Sequence, residues 1–274
     1  MHSPEAKLAA MRARGVDVSI VSLTPHLFIY ADEHDPVGFA RKANDELGAF
    51  VEADQRLHGL ATLPIGHPDA AAAELRRAVV ELGFRGAIIG TGLSVELPLD
   101  RLGLDPLFAV AAELGVPLLV HPFYSGVVTS PEFFLNNSLG VPFDSAWSVA
   151  RLIASGALDQ HPGLKLVVPH GGGALPYLLG RLDNAWHRRA ELYEHAAKAP
   201  SAYLNQLWFD SILHSAGALS FLAKQVGAER VLLGTDSPYL TGDADPCASL
   251  AAAGLDPVGA GLSAARLFGL PDPR

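Results

Sequence analysis

Three apolar runs in this chain each end on a side chain that can bind a metal or move a proton. Val-Pro-Leu-Leu-Val leads into His121, Leu-Lys-Leu-Val-Val-Pro into His170, and Arg-Val-Leu-Leu-Gly-Thr into Asp236. Short runs of Val, Leu and Ile bounded by Gly and Pro read as strands buried on both faces, the habit of a parallel sheet. Parallel strands that each present such a residue at the C-terminal tip describe the mouth of a (β/α)8 barrel. In that fold the mouth carries the chemistry and the base carries stability.

The rest of the sequence follows the same alternation. Strands are predicted near Val16–Ser22, His58–Leu63, Gly86–Gly90, Pro117–Val120, Lys165–Pro169, Leu207–Asp210 and Arg230–Leu233. Helices are predicted over Pro4–Arg14, Asp69–Leu82, Leu104–Leu114, Ser145–Ser155, Leu178–Glu194 and Ala216–Val226, where apolar residues recur every three or four positions. Gly83, Gly115, Gly156 and Gly227 punctuate the helix ends. A closed barrel needs eight strands, so about seven leaves one short, and the N-terminal strand is the one expected to be missing. The aromatic segment from Pro122 to Asp144 is expected to be a long loop over the mouth.

A chain of 274 residues suits one barrel of roughly 250, so residues 1–274 are expected to form a single domain. With 49% hydrophobic and 18% charged residues it can bury a large core. A net charge of −9 argues against a nucleic-acid groove, which needs clustered Lys and Arg, and leaves a small-molecule substrate in front. Cys247 is the single cysteine, so no intrachain disulfide forms and a reducing, cytoplasmic location is expected. No apolar stretch is long enough to span a bilayer, and the first residues lack a signal-peptide core.

Each candidate residue has a functional and a plain structural reading. His121 suits a zinc ligand at a strand tip, or a half-buried histidine bonded to the next loop. His170 precedes three glycines, which bring backbone close to a ligand and leave the imidazole unobstructed; otherwise the run is simply a glycine-rich turn. Asp236 can bind a divalent metal and accept a proton, or make a turn before Pro238. Arg181 can grip a carboxylate with two parallel hydrogen bonds, or sit in a surface ion pair. Asp210 and His214 can support the mouth from behind the ligands, or cap the following helix.

Several stretches together carry a family likeness: Gly-Leu-Ala-Thr-Leu-Pro (59–64), Glu-Leu-Gly-Phe-Arg-Gly-Ala-Ile-Ile-Gly-Thr (81–91), Leu-Val-His-Pro (119–122), His-Pro-Gly-Leu-Lys-Leu-Val-Val-Pro-His-Gly-Gly-Gly-Ala-Leu-Pro-Tyr (161–177), Gly-Arg-Leu (180–182) and Leu-Leu-Gly-Thr-Asp-Ser-Pro-Tyr (232–239). The chain resembles the amidohydrolase-related family, or second amidohydrolase family, which includes aminocarboxymuconate-semialdehyde decarboxylase and the resorcylate-type decarboxylases. The resemblance implies a metal-dependent carboxy-lyase acting on a small unsaturated or aromatic carboxylic acid. His121 and Asp236 are then metal ligands, His170 and Asp236 the acid/base groups, and Arg181 a substrate-carboxylate contact lent to a neighbouring subunit of a homodimer or larger homo-oligomer.

Members of that family draw two more ligands from a strand ending in His-x-His, and no His-x-His occurs in this sequence. Two remaining ligands predict weakly held zinc, because a catalytic site normally keeps about three protein ligands. Two alternatives stay open at this level: a hydrolase of a lactone, ester or amide using the same site, and a non-catalytic barrel or truncated gene product.

Overall fold

The computed structural model describes residues 3–24, 34–122 and 132–271. Its strands are β1 (Ser19–Val21), β2 (Leu57–Gly59), β3 (Ala61–Thr62), β4 (Ala87–Ile89), β5 (Leu118–Val120), β6 (Leu166–Val168), β7 (Leu207–Asp210) and β8 (Val231–Leu232). Every pairing is parallel and joins sequence neighbours, the order expected of right-handed βα units. Only Leu60 separates β2 from β3, and the two act as one stave. Its first half pairs with β1 and its second with β4. The arc is that of a (β/α)8 barrel with seven staves. Among the described residues, β8 and β1 are not hydrogen-bonded to each other, so the wall is unpaired between them.

The helices are α1 (Pro4–Ala13), α2 (Pro36–Glu52), α3 (Pro68–Val80), α4 (Asp105–Leu114), α5 (Val141–Ala154), α6 (Ala157–Gln160), α7 (Leu175–Trp186), α8 (Ala190–Tyr193), α9 (Ala216–Val226), α10 (Pro246–Ala252) and α11 (Pro257–Leu267). Their starts are locally encoded. Ser3, Asp35, Ser215, Asp245 and Asp256 accept a backbone N–H of the first turn, and proline occupies the first turn of α1, α2, α10 and α11, where its missing N–H costs nothing.

Burial is complete on the side opposite the opening. Every residue of β4 and β6 is buried, and Leu75 of α3 and Leu107 and Phe108 of α4 belong to the same hydrophobic core. Asn44 ties α2 into this wall: its amide donates to the Thr62 carbonyl (3.0 Å) and to Glu74 (2.7 Å), and Thr62 N donates back to it (2.8 Å). Arg77 bonds the other Glu74 oxygen at 2.8 Å, so the Asn44 amide and the Glu74 carboxylate are both partnered, while the Thr62 hydroxyl is buried with no partner.

Three sequence expectations change. Helices α2, α10 and α11 were not anticipated. The predicted loop from Pro122 to Asp144 becomes helical turns from Glu132 and joins α5 at Val141, with Pro142 in the first turn; residues 123–131 lie outside the described residues. The predicted helix Leu178–Glu194 is instead α7, three residues earlier at its start, followed by the short α8.

Candidate metal centre

The tips of β5, β6 and β8 bring His121, His170 and Asp236 together. One ligand atom from each lies within 4.8 Å of the other two. His121 extends the β5 ladder, its backbone N–H donating to Ile89 O at 2.8 Å. Its Nδ1 lies 2.9 Å from the Pro122 carbonyl. A carbonyl only accepts, so Nδ1 carries the proton and Nε2 keeps its lone pair for a ligand.

The backbone is strained at this end of the barrel. His170, His214 and Asp236 have φ of 55°, 52° and 49°, in the left-handed region that residues with a side chain rarely occupy. Three of the five such non-glycine residues among the described residues thus gather at one mouth, the pattern expected where geometry serves a site. The glycines after His170 have a different reason from the one their sequence suggests. A Cβ on Gly172 would meet the Phe209 ring at 2.7 Å, and one on Gly173 the Pro142 carbonyl at 1.9 Å. They let the loop pack tightly on β7 and α5, and in doing so they fix the imidazole of His170.

Asp210, at the end of β7, anchors that loop. Its Oδ1 accepts from Gly171 N (3.0 Å) and from Ile212 N (3.1 Å). It does not cap the next helix, whose cap is Ser215. Full burial pushes the Asp210 carboxyl upward, against the pull of its backbone donors. Burial and then the Asp210 charge raise Asp236 to about 6, while His214 and Thr241 pull it down. Burial, and then His214, lower His170 to about 4, and its Nδ1 is buried without a hydrogen-bond partner.

Two imidazoles, one of them with a buried ring nitrogen that has no partner, and a carboxylate under charge repulsion form a donor set that suits a divalent cation. A cavity of about 600 Å³ opens above, lined by Asn137, Ser138, His214 and Tyr239 as well as the three donors. Thr91, at the end of the β4 segment, donates to Asp144, and Ser148 donates to the Thr91 carbonyl at 3.1 Å, which pins α5 beside the mouth. Sequence reasoning passed over Thr91 and Asp144; the Gly-Thr ending of its strand was the available signal. Arg181 stands apart, on the exposed face of α7, not lining that cavity and making no ion pair among the described residues.

A parallel βα arc with imidazole and carboxylate donors converging at its strand tips defines an enzyme barrel of the metal-dependent kind. The chain belongs to the amidohydrolase family, whose model matches residues 1–267. It is 31% identical over 247 residues to the 2-amino-3-carboxymuconate-6-semialdehyde decarboxylase of Dictyostelium discoideum, covering 89% of this chain and 68% of that protein. It is 31% identical to the gamma-resorcylate decarboxylase of Rhodococcus jostii over 254 residues, covering 86% and 77%. Among solved structures it resembles the 5-carboxyvanillate decarboxylase of Novosphingobium aromaticivorans complexed with manganese and 4-hydroxy-3-methoxy-5-nitrobenzoic acid. The TM-score is 0.85 at 28% identity, over 97% of this chain and 80% of that one.

Proposed function

We propose that the protein is a metal-dependent carboxy-lyase of a small aromatic or unsaturated carboxylic acid. The observation that carries this reading is the convergence of His121, His170 and Asp236 beneath the mouth cavity. Decarboxylases among its relatives support the reaction type over hydrolysis. His121 and Asp236 would hold the cation. Zinc suits the imidazole donors, and manganese occupies the similar carboxyvanillate enzyme. When bound, the cation supplies positive charge that anchors the substrate and offsets charge developing on it.

His170 carries the proton. As the bond between the substrate carbon and its carboxylate breaks, the electron pair remaining on carbon takes up that proton, and carbon dioxide leaves. Burial keeps the free imidazole neutral at pH 7, so it loads its proton only as substrate charge arrives beside it. Asn137 and Tyr239 line the cavity where ring substituents would sit, and α5 forms its side.

Arg181 faces outward and so serves a neighbouring copy in this reading. A run of exposed apolar residues supports a homodimer: Leu135, Leu139, Phe143 and Trp147 recur every four residues and are 38%, 44%, 38% and 51% exposed. A test of the function loads the purified chain with Mn²⁺ or Zn²⁺ and supplies gamma-resorcylate and 5-carboxyvanillate. Metal-dependent release of carbon dioxide is expected. Ester or lactone hydrolysis with no carbon dioxide would overturn it.

A further inference from the structure

We propose that the mouth cavity takes acids with a single carboxylate, that Asn137 selects among them by bonding a neutral ring hydroxyl, and that dicarboxylic acids are excluded. Selection of this kind rests on the carboxy-lyase reading above and narrows its substrates to phenolic monocarboxylic acids.

Asn137 owes its position to a local break in helix geometry. Val141 N donates to Asn136 O, five residues back, so Asn136–Gly140 forms one π-helical turn directly ahead of α5. Such wide turns are rare and occur mostly at functional sites. The segment thereby divides between two environments. Leu135, Leu139 and Phe143 remain exposed, while Asn137, Ser138, Val141 and Pro142 line the cavity.

Most polar side chains around the cavity are already engaged. Ser138 Oγ donates to Phe134 O at 3.0 Å, the Tyr239 and Thr24 hydroxyls bond each other, and Thr241 donates to Asp236. His121 and Asp236 hold the cation in the reading above, His170 holds the proton, and His214 is exposed at the rim. Asn137 differs from all of these. It is half-buried, and its carboxamide bonds nothing among the described residues. A carboxamide offers two N–H donors and an acceptor oxygen, which matches a hydroxyl that can both give and take a hydrogen bond. A site arranged to bond a hydroxyl discriminates strongly against the analogue without one, because its own polar group is then left unpaired.

Charge does the excluding. Among the described residues no lysine or arginine lines the cavity, and the stretches 25–33 and 123–131 contain neither. The cation, and Arg181 of a second copy, are matched by the one reacting carboxylate. A second carboxylate would lie among apolar walls such as Val141, Pro142 and Leu213, beside an Asn137 that gives hydrogen bonds but no positive charge. Burying an unpaired charge is far more costly than burying a hydroxyl that has a partner. The cavity of about 600 Å³ leaves room for a single substituted ring.

The test titrates the metal-loaded whole chain by calorimetry with benzoate, gamma-resorcylate and 5-carboxyvanillate, and measures carbon dioxide release in parallel. The first has one carboxylate and no hydroxyl, the second one carboxylate and two hydroxyls, and the third two carboxylates. Gamma-resorcylate is expected to bind about tenfold or more tighter than either of the others. Asn137→Leu, close to asparagine in size, should erase the preference over benzoate and leave benzoate affinity within about twofold. Asn137→Lys supplies the missing cation and should raise 5-carboxyvanillate affinity by about tenfold or more. Asn137 has no partner to lose, so both variants should unfold at the parent's urea midpoint. Parent affinity for 5-carboxyvanillate equal to that for gamma-resorcylate overturns the proposal, as does an undiminished hydroxyl preference in Asn137→Leu. Carbon dioxide from 5-carboxyvanillate at a kcat/KM matching gamma-resorcylate overturns the selectivity and leaves the carboxy-lyase reading standing. The expected binding preferences with no carbon dioxide from any acid support the selectivity and overturn that reading.

Discussion

The arc from β4 to β6 and the flank from β8 round to β1 are both built of short strands, yet within the flank β8 is as buried as the arc and β1 is not. All of β4 and β6 is buried between helices and barrel interior, whereas every residue of β1 is only partly buried. The mouth residues straddle the two regions: His121 and His170 stand on the covered arc and Asp236 at the edge of the open flank. The contrast teaches that rigidity and access are divided within the site itself. Two donors are fixed by a close-packed wall, and the third sits where that wall is unpaired.

The largest effect concerns the two histidines of the covered arc. In metal-loaded protein, His170→Ala should keep its metal while turnover falls by about 10² to 10⁴, the usual contribution of a positioned proton carrier. His121→Ala should lose metal and turnover together, and elemental analysis beside a carbon dioxide assay separates the two. Loss of metal in both variants would make His170 a ligand, and the division of roles would fail.

Packing provides the second comparison. Ile89 is fully buried on β4, and Ile20 is only partly buried on β1. Ile89→Ala should cost about 2–5 kcal/mol in urea unfolding, and Ile20→Ala about 1 kcal/mol or less. Equal costs would show that the flank is as closed in solution as the arc.

The same split explains what the sequence made legible. Strand tips carrying His121, His170 and Asp236 could be read because a strand buried on both faces is an uninterrupted apolar run, and a polar residue at its end stands out. Helix α2 was missed because Gly38, Gly48 and a polar middle dilute its periodicity, although Asp35 and Pro36 mark its start. Helices α10 and α11 hide in a stretch rich in Gly, Pro and Ala that reads as loop. The aromatic segment from Pro122 to Asp144 likewise read as a loop, where Pro142 in fact sits in the first turn of α5. The glycines after His170 were legible as special but not for the right reason: only the fold shows Phe209 and the Pro142 carbonyl pressed against them.

Charge at the junction gives a third test, in protein stripped of metal by a chelator. The folded value of His170, about 4, lies below its ordinary 6.5, so its contribution is complete above 6.5 and is lost as the pH falls toward 4. The folded value of Asp236, about 6, lies above its ordinary 3.8, so its contribution is complete below 3.8 and is lost as the pH rises through 6. Asp236→Asn should therefore stabilise the stripped protein at pH 7 by about 1–2 kcal/mol, allowing for solvent screening, and give no gain below pH 4. Denaturant midpoints at the two pH values check the sign.

The smallest expected effect is the most direct measure of the open flank. Val18 and Val258 face the gap and keep 39% and 68% of their surface exposed. An exposed valine loses little burial when it is replaced by a polar residue, so Val18→Ser and Val258→Ser should each change stability by no more than about 0.5 kcal/mol. The β-branched residue's strand preference adds a few tenths at Val18 alone, which sits at the edge of β1. The same substitutions at a wall covered on both sides would remove buried apolar area and leave a hydroxyl to satisfy, a loss of about 2 kcal/mol or more. Urea unfolding of the two variants thus reads the cover over the gap directly. A large cost at both positions would mean that something closes this side of the barrel in solution. A large cost at Val258 alone would mean that α11, and not the sheet edge, is what is covered.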